Sequence, residues 1–474
     1  MPDVLMVASE ATPFIKTGGL ADVLGSLPAA LAEQGVRCAV VLPKYKEGSA
    51  GGAQPVYGPF KVWLGRRSFD VRLDLAAVGD VPYYLVDCPP LFGRKGVYHG
   101  EAGDFEDNHL RFAVLSRAAL VVARRLFRPR IFHCHDWQAS LVPVYLKTQL
   151  ASDPTFLGTR ILLTIHNLGY QGIFPAGALA QLGLGEELFN PEMLEFYGNV
   201  NLLKGGIVFS DAINTVSRKY AEEIQTPEYG FGLDGLLRAR RDSLTGILNG
   251  VDYGEWNPET DPYIAANYSA ADLAGKLRCK RDLLDEFGFP PQAFERPLVG
   301  IVSRFVSQKG FDLLEGAADA IASENLTLVA LGAGEARYEE LFRSLAARRP
   351  DKIAVKIAYD NVLAHKIEAG SDIFLMPSRY EPCGLNQIYS MRYGTVPVVR
   401  ATGGLDDTVD QTTGFKFTGY SPEALLGSLR EALATFKKPA LWRRLMLNGM
   451  SKDFSWRRSA GEYATLYRRL LSES

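Results

Sequence analysis

One four-residue word occurs twice in this chain, each time where a glycine turn can join a strand to a helix. Near the start the sequence is Thr17-Gly18-Gly19-Leu20-Ala21-Asp22-Val23, and far downstream it is Thr402-Gly403-Gly404-Leu405-Asp406-Asp407-Thr408. Both copies follow an apolar strand pattern, and both lead into a helical one. Strand, turn and helix in that order are the unit of a doubly wound α/β sheet. Two copies predict two similar α/β domains, each offering its turn to one cleft.

The second copy sits in the richer surroundings. Residues 373–376 form an apolar run that reads as a buried parallel strand. Glu381 then precedes Pro382, Cys383 and Gly384, where a helix opens. A second short strand, 396–399, ends in the Thr402 turn. One turn therefore offers a carboxylate and the next offers backbone amides. Amides at a helix N-terminus suit a phosphate, and a carboxylate accepts hydrogen bonds from hydroxyls. A ligand with a phosphate at one end and a polyol at the other, a nucleotide sugar, satisfies both. The plainer alternative is that the glycines serve tight turns and Glu381 is a solvated surface acid. This stretch alone does not separate the two.

Length and composition narrow the rest. A chain of 474 residues calls for two domains or more. A net charge of −2 gives no electrostatic footprint for nucleic acid or an anionic membrane. No apolar run reaches membrane-spanning length. Met1-Pro2-Asp3-Val4 runs directly into a strand without a basic segment, so no signal peptide is expected. The five cysteines are scattered and odd in number, which reads as reduced thiols in a cytoplasmic protein. No Cys/His spacing resembles a zinc site.

Polar residues recur just after strand patterns. A strand at 4–8 leads through a loop containing Glu10 and Lys16 to a helix over 20–34, stopped by Gly35, and a strand over 36–42. Residues 46–58 read as a glycine-rich loop, with strand-like runs near 60–64, 69–76 and 81–87. Residues 92–109 read as a polar loop carrying Tyr98, followed by a helix over 111–126. Strand ends then present His133-Cys134-His135-Asp136-Trp137 and His166-Asn167. Asn249-Gly250-Val251-Asp252 marks the crossing into a second series that starts at 298, whose first loop carries Arg304 and Lys309-Gly310. The amphipathic end, 456–471, reads as a helix packing back onto the first domain. Domain bounds are therefore set at 1–245, 246–455 and 456–474.

Each candidate has a bland counterpart. His135 and Asp136 make an acid/base pair or hold a sugar by hydrogen bonds; alternatively His135 is a satisfied structural histidine. Arg304 and Lys309 would neutralise a diphosphate, Arg bidentately, or they form a solvated basic loop. Gly332-Ala333-Gly334 lacks the third glycine of a dinucleotide fingerprint. Asp-x-Asp occurs nowhere, so the chain lacks the carboxylate pair of a metal-dependent nucleotide-sugar enzyme. In a transferase the leaving diphosphate would then be neutralised by Arg, Lys and amides, with no metal or other cofactor. Glu381 has no evident second carboxylate for glycosidase chemistry.

Together these motifs resemble the bacterial glycogen synthase and plant starch synthase family. The likeness rests on residues 16–23, His133-x-His135-Asp136-Trp137, His166-Asn167, Asn249-Gly250-Val251-Asp252, Ser303-Arg304 with Gln308-Lys309-Gly310, Glu381-Pro382-Cys383-Gly384-Leu385 and Thr402-Gly403-Gly404-Leu405. It covers nearly the whole chain in order. The resemblance implies a GT-B architecture, two Rossmann-like doubly wound domains facing a central cleft. It implies transfer of glucose from ADP-glucose to the non-reducing end of an α-1,4-glucan, with retention. Lys16, Gly18 and Gly19 would contact the donor. Arg304 and Lys309 would stabilise departing ADP, and Glu381 would hold glucose hydroxyls with help from Cys383, Gly384 and Leu385. His135 would meet the sugar near the reacting centre, and Asp22 would orient donor or acceptor. Asn249 would line the cleft, and Thr402 and Gly403 would bind the distal phosphate. Tyr98, Asp136 and Asn167 would lie on the acceptor side. Many retaining enzymes of this architecture have a second Glu eight positions after the first. Here that position is Tyr389, and the synthase family generally lacks the Glu too. Competing readings are a UDP- or GDP-sugar transferase of the same architecture and a non-catalytic glucan-binding protein. Oligomeric state is not readable from the sequence.

Overall fold

The computed structural model describes residues 3–49, 52–101 and 103–472. The chain divides into two compact units. The first holds the residues up to Val216, Ala221–Gly250 and the segment from Trp456 on; the second holds Ser217–Tyr220 and Val251–Ser455. The division falls at Gly250 rather than at 245, because Leu244–Gly246 pairs in parallel with Ala212–Thr215 and so completes the first unit's sheet.

The first sheet is built from β1 (Asp3–Val7), β2 (Arg37–Pro43), β3 (Gln54–Leu64), β4 (Arg67–Val78), β5 (Val81–Asp87), β6 (Ile131–His135), β7 (Arg160–Ile165), β8 (Ala212–Thr215) and β9 (Leu244–Gly246). Their order is β9-β8-β7-β6-β1-β2-β5-β4-β3. Pairing is parallel from β9 through β5, and antiparallel where β4 and β3 close the edge. Val4–Val7 and all of β6 are buried, as strands covered on both faces must be. Chain order reverses between β1 and β6, so the polar loops that follow these two strands flank a topological switch point.

Strand β3 starts at Gln54, within the stretch that reads as a loop; residues 50 and 51 of that stretch lie outside the described residues. Pro55, Gly58 and Pro59 disguise it. As the sheet's edge it tolerates them, absorbing the irregularity in register shifts at Pro55/Tyr57 and Tyr57/Phe60. The polar stretch 92–109 likewise contains the short pair His99–Gly100 and Gly103–Asp104.

The helix Gly19–Glu33 buries Leu20, Val23, Leu24, Leu27 and Leu31, and Gly35 follows it at φ 77°. Against the same core lies the helix Trp456–Ser472, which buries Trp456, Ala460, Tyr463, Ala464, Tyr467 and Leu470. That spacing puts one apolar stripe on the helix. The Tyr467 hydroxyl bonds His133 Nδ1 at 2.8 Å. Gly250 sits against the Trp456 backbone, where a Cβ would lie 2.5 Å from its Cα.

The second sheet is β10 (Leu298–Val302), β11 (Thr327–Gly332), β12 (Ile353–Ile357), β13 (Ile373–Met376), β14 (Val396–Arg400) and β15 (Phe415–Phe417). Its order is β12-β11-β10-β13-β14-β15, all parallel. The switch point falls between β10 and β13. Both units are therefore Rossmann-like. Gly332 and Gly334 serve close packing: a Cβ on them would lie 1.9 Å from the Ser303 carbonyl oxygen and 2.4 Å from that of Phe305. They are not a dinucleotide turn.

Candidate active site

In the second unit the loop after β10 and the loop after β13 are laced together. The Arg379 N–H donates to the Gln308 carbonyl at 2.8 Å, and Gln308 Nε2 donates to the Tyr380 carbonyl at 3.3 Å. Gly310, at φ 73°, leaves room for the Pro377 carbonyl, 2.0 Å from where a Cβ would stand. This lacing brings Lys309 Nζ to 2.6 Å from Glu381 Oε2, with side-chain exposures of 18% and 7%. Ser378 Oγ donates to the same oxygen at 2.9 Å. Glu381 Oε1 has no partner among the described residues. The two groups assigned separately to phosphate and sugar thus form one ion pair with a free carboxylate oxygen. Arg304 is exposed on the same loop as Lys309, and its guanidinium makes no ion pair among the described residues.

Two amides of the second glycine turn are spent within the unit. The Thr402 N–H donates to the Arg400 carbonyl, and the Gly404 N–H donates to the Glu381 carbonyl, both at 3.0 Å. Gly403 (φ 45°) and Gly404 are packed against backbone instead, with Cβ positions 1.9 Å from the carbonyl oxygens of Glu381 and Cys383. Open amides lie one turn earlier. The N–H groups of Gly384 (φ 69°) and Leu385, just before the helix Asn386–Arg392, have no acceptor among the described residues. Cys383 is buried beside them. The Tyr389 ring is used for packing, stacked on Trp256 at 4.0 Å and 5°, with His365 on Trp256's other contact at 3.8 Å. Tyr359, at the end of β12, is 86% exposed, while Asp360 caps the next helix through the Leu363 N–H.

In the first unit the loop after β1 is organised by Glu10. Its carboxylate accepts the N–H groups of Thr17 (2.5 Å) and Gly18 (3.3 Å), the Thr17 hydroxyl (2.9 Å) and the Tyr98 hydroxyl (2.9 Å). Ser9 Oγ lies 2.7 Å from the Tyr98 oxygen and so donates to it. Two amides of this glycine turn are thus already spent on a carboxylate, and Tyr98 is anchored beneath the turn. Burial raises the Glu10 pKa despite these donors. Gly18 is extended, and a Cβ there would meet nothing within 4 Å. Neither backbone nor packing requires a glycine at this position; what it preserves is open space above the turn. Lys16 pairs with Asp22 at 2.8 Å on the first turn of the helix Gly19–Glu33.

His135, the last residue of β6, is in register with Thr164, one residue before the end of β7. His135 Nδ1 bonds His166 Nε2 at 3.0 Å, and His135 Nε2 is buried without a partner. Asp136 stands at φ 56°, which turns its carboxylate back onto the His166 N–H at 2.7 Å. Asn167 Oδ1 accepts the Gly169 N–H. His133 is satisfied on both sides by Tyr467 and Thr164, and so is structural. Asn249 is buried with its Oδ1 unpartnered. Sequence reasoning gave no role to Glu10, Ser378 or the ring of His166. Glu10 carries no motif signal, since its partners lie in turns that only folding brings together.

Burial pushes the pKa of His133 and of His166 down to about 3, and that of His135 well below its ordinary value, the other histidines adding to the effect on His135. All three are neutral at pH 7. In an unfolded chain they titrate near 6.5, so between there and about 3 the unfolded state binds more protons, and their contribution to stability grows as pH rises. Asp136 works the other way. Burial raises it to about 7, against bonds from the His166 and Asn167 N–H groups and with Glu10 adding. Between its ordinary 3.8 and about 7 the folded state holds the extra proton, so its contribution falls as pH rises. Of the six histidines, these three should show imidazole proton resonances that do not move between about pH 8 and pH 5. A midpoint near 6.5 for any of them in the folded protein would contradict the geometry.

Residues 3–239 match the family described as starch synthase catalytic domain, and residues 286–444 match glycosyl transferases group 1. The chain is 52% identical over 475 residues to a glycogen synthase of Koribacter versatilis, covering 98% of this chain and 97% of the relative. It is 48% identical to a glycogen synthase of Anaeromyxobacter dehalogenans, covering 98% and 99%. Among solved structures it is similar to the catalytic domain of starch synthase IV from Arabidopsis thaliana bound to ADP and acarbose, with a TM-score of 0.91, 34% identity and 99% of each chain covered.

Proposed function

The chain belongs to the glycogen and starch synthase family, and we propose that it is a retaining glucosyltransferase moving glucose from ADP-glucose to the non-reducing end of an α-1,4-glucan. The observation that carries this reading is the Lys309–Glu381 pair at the switch point of the second sheet, with open amides at Gly384 and Leu385. Cations and a hydroxyl acceptor stand side by side there, as a nucleotide sugar requires.

Glu381 Oε1 accepts a hydroxyl of the donor glucose, and the Gly384 and Leu385 amides donate to others. As the bond from the anomeric carbon to the phosphate oxygen breaks, charge builds on ADP, and Arg304 and Lys309 stabilise it. The acceptor 4-hydroxyl forms the new bond on the same face, and its proton passes to the leaving phosphate. In the first unit the unpaired His135 Nε2 bonds a sugar hydroxyl, while Asp136 and Asn167 fix the two strand ends that present it. Lys16 and Gly18 serve the donor, with Asp22 holding Lys16 in place. Charge neutralisation comes from side chains, so we expect no metal requirement. Five buried cysteines, none of them in a disulfide, fit a reducing compartment, and we assign the enzyme to the cytoplasm. Among the described residues no helix is long and apolar enough to cross a membrane.

The deciding assay is ADP release from ADP-glucose with and without glycogen, run beside UDP-glucose. Glycogen-dependent release favouring ADP-glucose is expected. Preference for UDP-glucose would overturn the donor assignment, and calorimetric glycogen binding without ADP release would make the chain a glucan-binding protein.

A further inference from the structure

Three described non-glycine residues have left-handed backbone: Asp136 (φ 56°), Tyr197 (φ 48°) and Phe231 (φ 47°). Asp136 lies at the strand end described above. The other two are aromatic, each is followed by a glycine that is also left-handed (Gly198 at 79°, Gly232 at 82°), and both are exposed, at 81% and 39%. Tyr197-Gly198 is the two-residue turn joining Glu195–Phe196 to Asn199–Asn201. A turn with both central residues at positive φ prefers Asn-Gly, and an aromatic side chain there is strained. A sequence that breaks its local rule twice to expose two rings points to a use for them.

The two turns meet at Gly232. Gly232 lies against Phe196 and Tyr197, with a Cβ position 2.9 Å from the first ring and 3.5 Å from the second. Phe196 packs edge-on to Tyr197 at 4.7 Å. Buried Gln171 ties these turns to the strand end. Its Nε2 donates to the carbonyls of Phe231 (3.1 Å) and Leu168 (3.2 Å), and its Oε1 accepts from Asn201 Nδ2 (2.6 Å). Tyr170, 55% exposed, lies in the same loop with its N–H on the Asn167 carbonyl. Exposed Tyr170, Phe231 and Tyr197 thus stand on hydrogen-bonded segments that lead away from His166-Asn167.

We propose that Tyr197, Phe231 and Tyr170 form a shelf for the acceptor glucan, holding glucose rings beyond the one that reacts. The proposal rests on the glucosyltransferase reading. Each pyranose has an apolar face of C–H groups that lies flat on an aromatic ring, while its hydroxyls stay in water. Continuity with the acceptor-side strand end makes a glucan chain the occupant.

The test uses the full chain carrying Tyr197→Asn, Phe231→Asn and both together. Asparagine suits the left-handed backbone, so the variants should unfold at the wild-type temperature or above it. KM should rise with acceptor length, roughly 10-fold for maltoheptaose and glycogen in the double variant, and far less for maltotriose, with KM for ADP-glucose unchanged. Retardation in a native gel containing glycogen should weaken in parallel, a readout independent of turnover. A KM effect equal for all acceptor lengths, or unchanged gel retardation, would overturn the shelf. A wild-type protein retarded by glycogen through these rings but releasing no ADP would sink the transferase reading and leave the shelf standing.

Discussion

Glu381→Ala and Lys309→Ala should each lower kcat with ADP-glucose and glycogen by roughly 100-fold or more, and the double variant should be little worse than the poorer single one. The reason is the pair itself. Lys309 Nζ and Glu381 Oε2 are 2.6 Å apart with little exposure, so each holds the other where the donor needs it. Remove Glu381, and Lys309 loses the anchor that aims its charge at the phosphate. Remove Lys309, and a buried carboxylate faces the anionic donor alone. Breaking such a pair also costs about 3–5 kcal/mol of stability, so thermal unfolding must accompany the kinetics. The informative comparison is Glu381→Gln, which keeps shape and the Ser378 contact but removes the charge. It should lose turnover while unfolding closer to wild type than Glu381→Ala does. A folded Glu381→Ala enzyme with near-native kcat would show that the pair is structural and the donor binds elsewhere.

The sequence made this pair legible only in part. Apolar runs and the polar residues that end them located most strands of both sheets, but not the three-residue edge strands β9 and β15. Positions at the ends of parallel strands placed Arg304, Lys309, His135 and Glu381 at the ligand edge, because in a parallel sheet every such loop emerges on the same side. That Lys309 and Glu381 would touch depends on β10 and β13 being neighbours despite their separation in the chain, which follows from the strand order and not from either motif. Glu10 was opaque for the same reason. Its four donors come from Thr17, Gly18 and Tyr98, and a buried acid has no local spacing to betray it. The edge strand β3 was hidden by its prolines, which break the alternation that marks strands yet are tolerated where one side of the strand is unpaired.

The repeated Thr-Gly-Gly-Leu word carries the other large prediction, because its two copies use glycine for opposite reasons. Gly403→Ala should destabilise the second unit by about 2–5 kcal/mol and abolish activity with it. The new methyl would sit 1.9 Å from the Glu381 carbonyl oxygen on a residue already at φ 45°, combining a left-handed penalty with overpacking against backbone. Neither group can move without displacing Glu381, so the damage reaches the ion pair directly. Gly18→Ala should behave in reverse. Its backbone is extended and its Cβ position is empty to 4 Å, so the thermal midpoint should stay within about a degree of wild type. Activity should nevertheless fall roughly 10- to 100-fold, because the methyl occupies the space in which the donor must approach the turn. Thermal unfolding and kcat/KM for ADP-glucose measured on both variants separate the two roles. A Gly18→Ala enzyme with unchanged kcat/KM would mean that the open space above the first turn is not where the substrate lies, and the assignment of Lys16 and Gly18 to the donor would fail with it.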